Sequence, residues 1–286
     1  MLTRRSFVLG ACCAGHAAAI GECFADTEKK IDNVFVCSTI DPGPLNGFSI
    51  DKYKADVGEA PSIDTSIKNF SMTSYGTSFM RDRWLRSDGL TPNTGIITLG
   101  VNFINGNSYQ KDLVRSSASA WTAGKLAKRL AFEYDVPPSS SQIRVLFDAG
   151  VNDSYVGRDN LKISKTASTL RLQDLAPHVI QHEFGHALGL QHEQQFPDNT
   201  IQWDEKAVIN EMAGPPNYWD ETQTRQNILA KYKSKDAVCV GDPSFNKKSI
   251  MLYPIPSSWT LNGFSVGTNA SISDRDFACL GGLYGV

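Results

Sequence analysis

Histidine is scarce in this chain of 286 residues: there are five, and apart from His16 they all fall between His178 and His192. Charge is balanced, with 28 Lys and Arg against 30 Asp and Glu and a formal net charge of −2. No basic stripe or aromatic-rich platform stands out, which argues against nucleic acid as a partner. Long apolar runs are also missing. The alanine-rich stretch ending at Ile20 is shorter than the roughly 20 residues a membrane helix needs, so no stable membrane insertion is expected once the leader is gone. Internal repeats, low-complexity tracts and appended binding modules are absent from the sequence.

What is present fits a globular protein, with 41% hydrophobic and 20% charged residues in a length that suits one large domain or two small ones. The first 25 residues read as a leader. Thr3-Arg4-Arg5-Ser6-Phe7-Val8-Leu9 places paired arginines directly before the apolar block, the pattern of a twin-arginine export signal, with cleavage expected after Ala25. Leu9-Gly10-Ala11-Cys12 faintly resembles a lipoprotein box, but the apolar run before Cys12 is too short, so soluble export to the periplasm or the medium is expected. Residues 26–89 are rich in Asp, Ser, Lys, Gly and Pro and read as an N-terminal extension or propeptide, and residues 90–286 as the catalytic domain.

The histidine cluster carries the chemistry. His182, Glu183, His186, Gly189 and His192 spell H-E-x-x-H-x-x-G-x-x-H. Residues four apart on a helix lie one turn above each other, so His182 and His186 can share one metal ion. Glu183 is rotated by about 100° from His182, beside the metal, where it suits a general base acting on bound water. Gly189 can take a left-handed conformation and reverse the chain, returning His192 as third ligand. Three neutral histidines leave one position open, the arrangement of a catalytic zinc rather than a structural one. His178, one turn before His182, reads as a supporting group at the start of the helix.

Together with Ser249-Ile250-Met251-Leu252-Tyr253, these residues resemble a metzincin, and most closely the astacin family of metallopeptidases. Glu193 directly after the third histidine narrows the resemblance to astacins, and Gln194-Gln195-Phe196-Pro197 reads like the bacterial branch rather than the animal one. The resemblance spans roughly residues 82–286 and takes in Trp84, Phe103-Ile104-Asn105-Gly106, Trp121 and Leu283-Tyr284-Gly285. It implies an α+β fold, with a mixed twisted sheet and helices above a cleft and an irregular, mainly helical subdomain below. It further implies one catalytic zinc, a polypeptide substrate, Met251 as a structural floor beneath the metal, and Tyr253 as a switchable ligand and oxyanion donor. On the same ground, the main chain of an edge strand formed by Thr169, Leu170, Arg171 and Leu172 would receive the substrate. A monomer is expected.

Three cysteines follow the leader: Cys37, Cys239 and Cys279. The resemblance favours Cys37 with Cys279, whereas counting alone equally allows Cys239 with Cys279. Cys37 also admits a latency role, with its thiolate on the open zinc position, although its flanking residues match no known propeptide switch.

Periodicity predicts a strand over 96–103, a helix over about 111–132 with Trp121 in the core, strands over 143–147 and 169–172, and the histidine helix over about 175–190. Helices are expected at 204–212 and 220–233, and a final one from Ser273, capped by Ser273-x-x-Asp276. Two other functions stay open: a catalytically silent zinc-containing peptide-binding protein, against which the intact Glu183 speaks, and a zinc hydrolase of a non-peptide substrate.

Overall fold

The computed structural model describes residues 37–39, 82–232 and 244–286, all within one compact unit that spans Asn33–Val286. The leader, most of the 26–89 segment and Cys239 lie outside the described residues.

Six strands form one sheet: β1 (Ser38–Thr39), β2 (Ile97–Phe103), β3 (Leu130–Tyr134), β4 (Ile143–Phe147), β5 (Asp153–Ser154) and β6 (Leu170–Leu172). Their order is β1-β5-β6-β4-β2-β3. Strands β3, β2, β4 and β6 run parallel; β5 is antiparallel to β6, and β1 adds to β5 in parallel. Helix α1 (Ser108–Ala118) and the histidine helix α2 (Pro177–Ala187) pack together, burying Val114, Ala118, Ile180 and Phe184 in a core shared with Leu99, Val101, Val145 and Leu170. The central strands are buried on both faces, as parallel strands covered by helices are, so alternation in their sequence is weak.

Beyond α2 the chain builds α3 (Glu205–Met212), α4 (Glu221–Thr224), which continues as a π-helical turn (Arg225–Leu229), and α5 (Asp274–Tyr284). A second apolar cluster, including Ile201, Val208, Met212, Ile228, Leu252, Tyr253, Ile255 and Trp259, forms the core of this half. Ile250 and Met251 belong to the first cluster and Leu252 and Tyr253 to the second, so this one turn joins the two halves.

Two expectations need correction. The helix expected over 111–132 ends at Ala118; a short 3-10 turn (Ser119–Thr122) carries the buried Trp121, and Phe132 lies in strand β3. The strand containing Leu170, Arg171 and Leu172, with Thr169 before it, is not an edge: β4 bonds it on one side and β5 on the other. Trp84, the first aromatic in the 82–286 span of the resemblance, is buried in the first core, where its backbone N–H donates to Tyr284 Oη at 3.1 Å and its Nε1 to the Ala187 carbonyl at 2.7 Å.

Candidate active site

Helix α2 begins with Pro177 in its first turn, where a missing N–H costs nothing. It ends in a Schellman turn: Leu190 N–H donates to the Gly185 carbonyl at 2.9 Å and Gly189 N–H to that of His186 at 2.8 Å. Gly189 has φ +102°, a conformation that side chains with a Cβ avoid. The turn has a second consequence, since the Leu190 carbonyl that it fixes lies 2.8 Å from His186 Nδ1. The Ile250 carbonyl lies 2.7 Å from His182 Nδ1 in the same way.

A carbonyl can only accept, so both Nδ1 atoms are protonated and both Nε2 atoms carry bare lone pairs. These lone pairs converge. His186 Nε2 lies 3.0 Å from His182 Nε2 and 3.1 Å from His192 Nε2. No proton is left to bridge His182 and His186, and three imidazole nitrogens this close are the arrangement that a shared cation stabilises. Burial lowers the His182 pKa to about 4, and burial, with the neighbouring imidazoles, holds those of His186 and His192 well below the usual histidine value, so all three are neutral and ready to ligate. Gln191 and Gln194 flank His192 with side chains 8% and 0% exposed, so water is largely excluded around it.

The fourth side chain in this group is Cys37. Its Sγ stands 2.9 Å from His182 Nε2, 3.3 Å from His192 Nε2 and 3.8 Å from His186 Nε2, and the four residues form a buried set able to hold a metal ion. A Cys37–Cys279 disulfide is therefore not formed: Cys37 is a free thiol committed to the histidines. His178 stands outside the set.

Glu183 is fully buried, with neither carboxylate oxygen hydrogen-bonded, an orphan that a water or substrate proton would satisfy. Burial, and then the charge of Asp153, raises its pKa well above the usual carboxylate range. Asp153, on β5, is itself buried and takes a bidentate ion pair from Arg171 on β6. Sequence reasoning missed Asp153, because a lone acid in a two-residue strand carries no periodic signal.

Met251 packs under α2 where Gly185 leaves room, and its carbonyl accepts from Glu193 N–H at 2.9 Å. The turn around it is pinned by Asp276, whose carboxylate accepts from Ser249 Oγ at 2.5 Å and from Ile250 N–H at 3.0 Å. Asp276 thus caps α5 and, through Ile250, orients His182. The Tyr253 ring lies 4.4 Å from that of His192, and its hydroxyl donates to the Cys37 carbonyl.

Residues 101–285 match the family described as Astacin, a family of peptidases. The chain belongs to the astacin family. A solved structure of myroilysin is 29% identical, with a TM-score of 0.63 over 74% of this chain and 99% of that one. High choriolytic enzyme 1, a hatching-enzyme zinc-protease from the medaka fish Oryzias latipes, shares the fold, with a TM-score of 0.50 at 17% identity over 71% of this chain and 96% of that one. No curated protein sequence matches significantly. This astacin is a zinc metalloendopeptidase with the mixed-sheet α+β fold of its family, and its likeness to the bacterial branch fits the myroilysin match.

Proposed function

We propose that this astacin is an exported endopeptidase made in a latent form, in which the Cys37 thiolate occupies the coordination position that water and the scissile carbonyl need. The observation that carries this reading is the position of Cys37 Sγ, within 3.8 Å of the Nε2 atoms of all three histidines. A thiolate is a strong zinc ligand, so Cys37 with the three imidazoles would supply four ligands, whereas the three imidazoles alone would leave a place for water and substrate.

In the active form His182, His186 and His192 hold the single ion through Nε2. Zinc, when bound, supplies a Lewis acid for the scissile carbonyl and acidifies the attacking water. Glu183 takes that water's proton and passes it to the leaving amine. Tyr253 donates its hydroxyl to the oxyanion; its existing hydrogen bond to a backbone carbonyl beside the histidines supports this role. Met251 and Gly189 act structurally, through packing and through the helix-ending turn.

Residues 1–25 serve as a twin-arginine-type signal and are removed, leaving a monomeric protein in the periplasm or outside the cell. No helix among the described residues is long and apolar enough to cross a membrane. Burial of Trp84 in the first core supports a mature domain that begins before residue 84.

The test is cleavage of an unfolded protein after limited proteolysis of the N-terminal segment, with and without a zinc chelator, beside Glu183→Ala. Chelator-sensitive cleavage that Glu183→Ala abolishes, with zinc content unchanged, is expected. Bound zinc without cleavage by the wild type would favour the silent peptide-binding alternative.

A further inference from the structure

We infer that Asn227 is a backbone-gripping residue of the cleft. Its carboxamide oxygen holds a main-chain N–H of the Cys37 strap in the latent form and a main-chain N–H of the peptide substrate in the active one. The inference rests on the reading of the chain as a latent endopeptidase and adds to it the lower wall of the substrate groove.

Strap residues Ser38 and Thr39 are held from two sides. From the sheet, β5 pairs with them in register, Ser38 with Asp153 and Thr39 with Ser154, and Ser38 N–H donates to the Asn152 carbonyl at 3.2 Å. From the opposite half, Asn227 Oδ1 accepts from Thr39 N–H at 3.0 Å and from Thr39 Oγ1 at 3.1 Å. Thr39 is two residues beyond the one whose sulfur faces the histidines, so this grip acts within a short reach of the reacting position.

Asn227 is organised for the task. It is 4% exposed, within the π-helical turn Arg225–Leu229, and a π-turn inserts one extra residue that re-aims the side chain. Its Nδ2 donates to the Gln223 carbonyl at 3.0 Å, which fixes the amide with its oxygen toward the strap. Its own carbonyl accepts from Gln194 Nε2 at 2.9 Å, and Gln194 Oε1 accepts from Tyr253 N–H at 3.4 Å. Gln194 thereby links the grip to Tyr253, in a segment that starts two residues after His192.

When the strap leaves, Asn227 Oδ1 loses both of its Thr39 donors and is left facing the groove, open to another main-chain N–H. An extended peptide in the same groove offers an N–H at every residue, and none of its side chains is needed to satisfy the oxygen. Asn227 therefore favours main chain in general and contributes affinity without residue preference.

The test is an ester scan. Peptide substrates carry an ester oxygen in place of each non-scissile amide N–H in turn, within three residues of the scissile bond on either side. They are assayed with the full-length zinc protein after limited proteolysis, as wild type, Asn227→Leu and Asn227→Asp, the last keeping an accepting oxygen. Zinc content and Tm are checked for each. We expect one position where the ester lowers kcat/KM by about fivefold or more in the wild type and Asn227→Asp, and by less than about twofold in Asn227→Leu. Chelator-sensitive wild-type cleavage with the same ester profile in Asn227→Leu overturns the role of Asn227 and leaves the endopeptidase reading standing. A wild type without such cleavage overturns both.

Discussion

A Cβ placed on Gly185 would stand 2.5 Å from Met251 Sδ and 3.2 Å from the Trp121 ring. The glycine inside the histidine helix is there because the methionine beneath needs its space. Alanine favours a helix by about 1 kcal/mol over glycine, so the change would stabilise an unpacked helix. Here overpacking of about 1–3 kcal/mol opposes that gain. Gly185→Ala should therefore lower Tm and zinc affinity together, measured by thermal denaturation and by competition with a chromophoric chelator.

Removal of the Cys37 sulfur should unlock the full-length protein. Cys37→Ala is expected to raise the peptidase activity of the uncleaved chain at least about tenfold, the factor that 1.4 kcal/mol of competing binding represents. Equal activity in both proteins would sink the latency reading.

Tyr253→Phe tests the oxyanion donor. Loss of one such donor costs about 10²–10³ in kcat, so the processed variant should turn over a peptide that much more slowly at unchanged zinc content and similar KM.

Asp276 reaches the metal site through Ile250 and His182 without touching the ligand nitrogens itself. Asp276→Ala should weaken zinc binding by about 10–100-fold, the usual penalty when a group that orients a ligand is lost, without altering Glu183. Zinc affinity unchanged in a folded variant would show that the Ile250 carbonyl holds its place unaided.

The metal-free protein should be acid-sensitive. In the folded state burial lowers the His182 pKa to about 4, below the ordinary histidine value of 6.5. Between those two values the unfolded chain binds more protons, so stability is full above about 6.5 and falls as pH drops toward 4, by up to about 1.4 kcal/mol per pH unit per histidine. Urea denaturation of the apoprotein at pH 7 and pH 5 measures the loss; zinc, which needs its ligands unprotonated, should make the dependence on pH at least as steep in the zinc form.

Residues that act through local spacing were legible in the sequence. His182 and His186 meet because a helix has a fixed period, and Ser273 with Asp276 announces a helix start through a reciprocal cap that forms as expected. What was hidden depends on distant segments meeting. Strand β3 carries Phe132 and Tyr134 at sites where a helical pattern could be continued from α1, and only pairing with β2 decides the matter. The two-residue strand β5 offers too few positions for any pattern, and the resemblance alone places the edge at residues 169–172. Asn227 reads as an ordinary helix residue until the π-turn is seen, and for Cys37, 145 residues from His182, the sequence leaves a disulfide and a zinc-facing thiol both open.

The strap formed by Ser38 and Thr39 is also the last strand of the sheet, and its departure has a colloidal consequence. While it is paired, β5 shows no free backbone edge on that side. Once it is gone, the row of unpaired groups that receives a substrate can equally receive another extended chain, including that of a second enzyme molecule. On the proposed latency, the strap would serve storage as well as restraint: with β5 covered, concentrated stocks of the uncleaved chain should aggregate less than the processed enzyme.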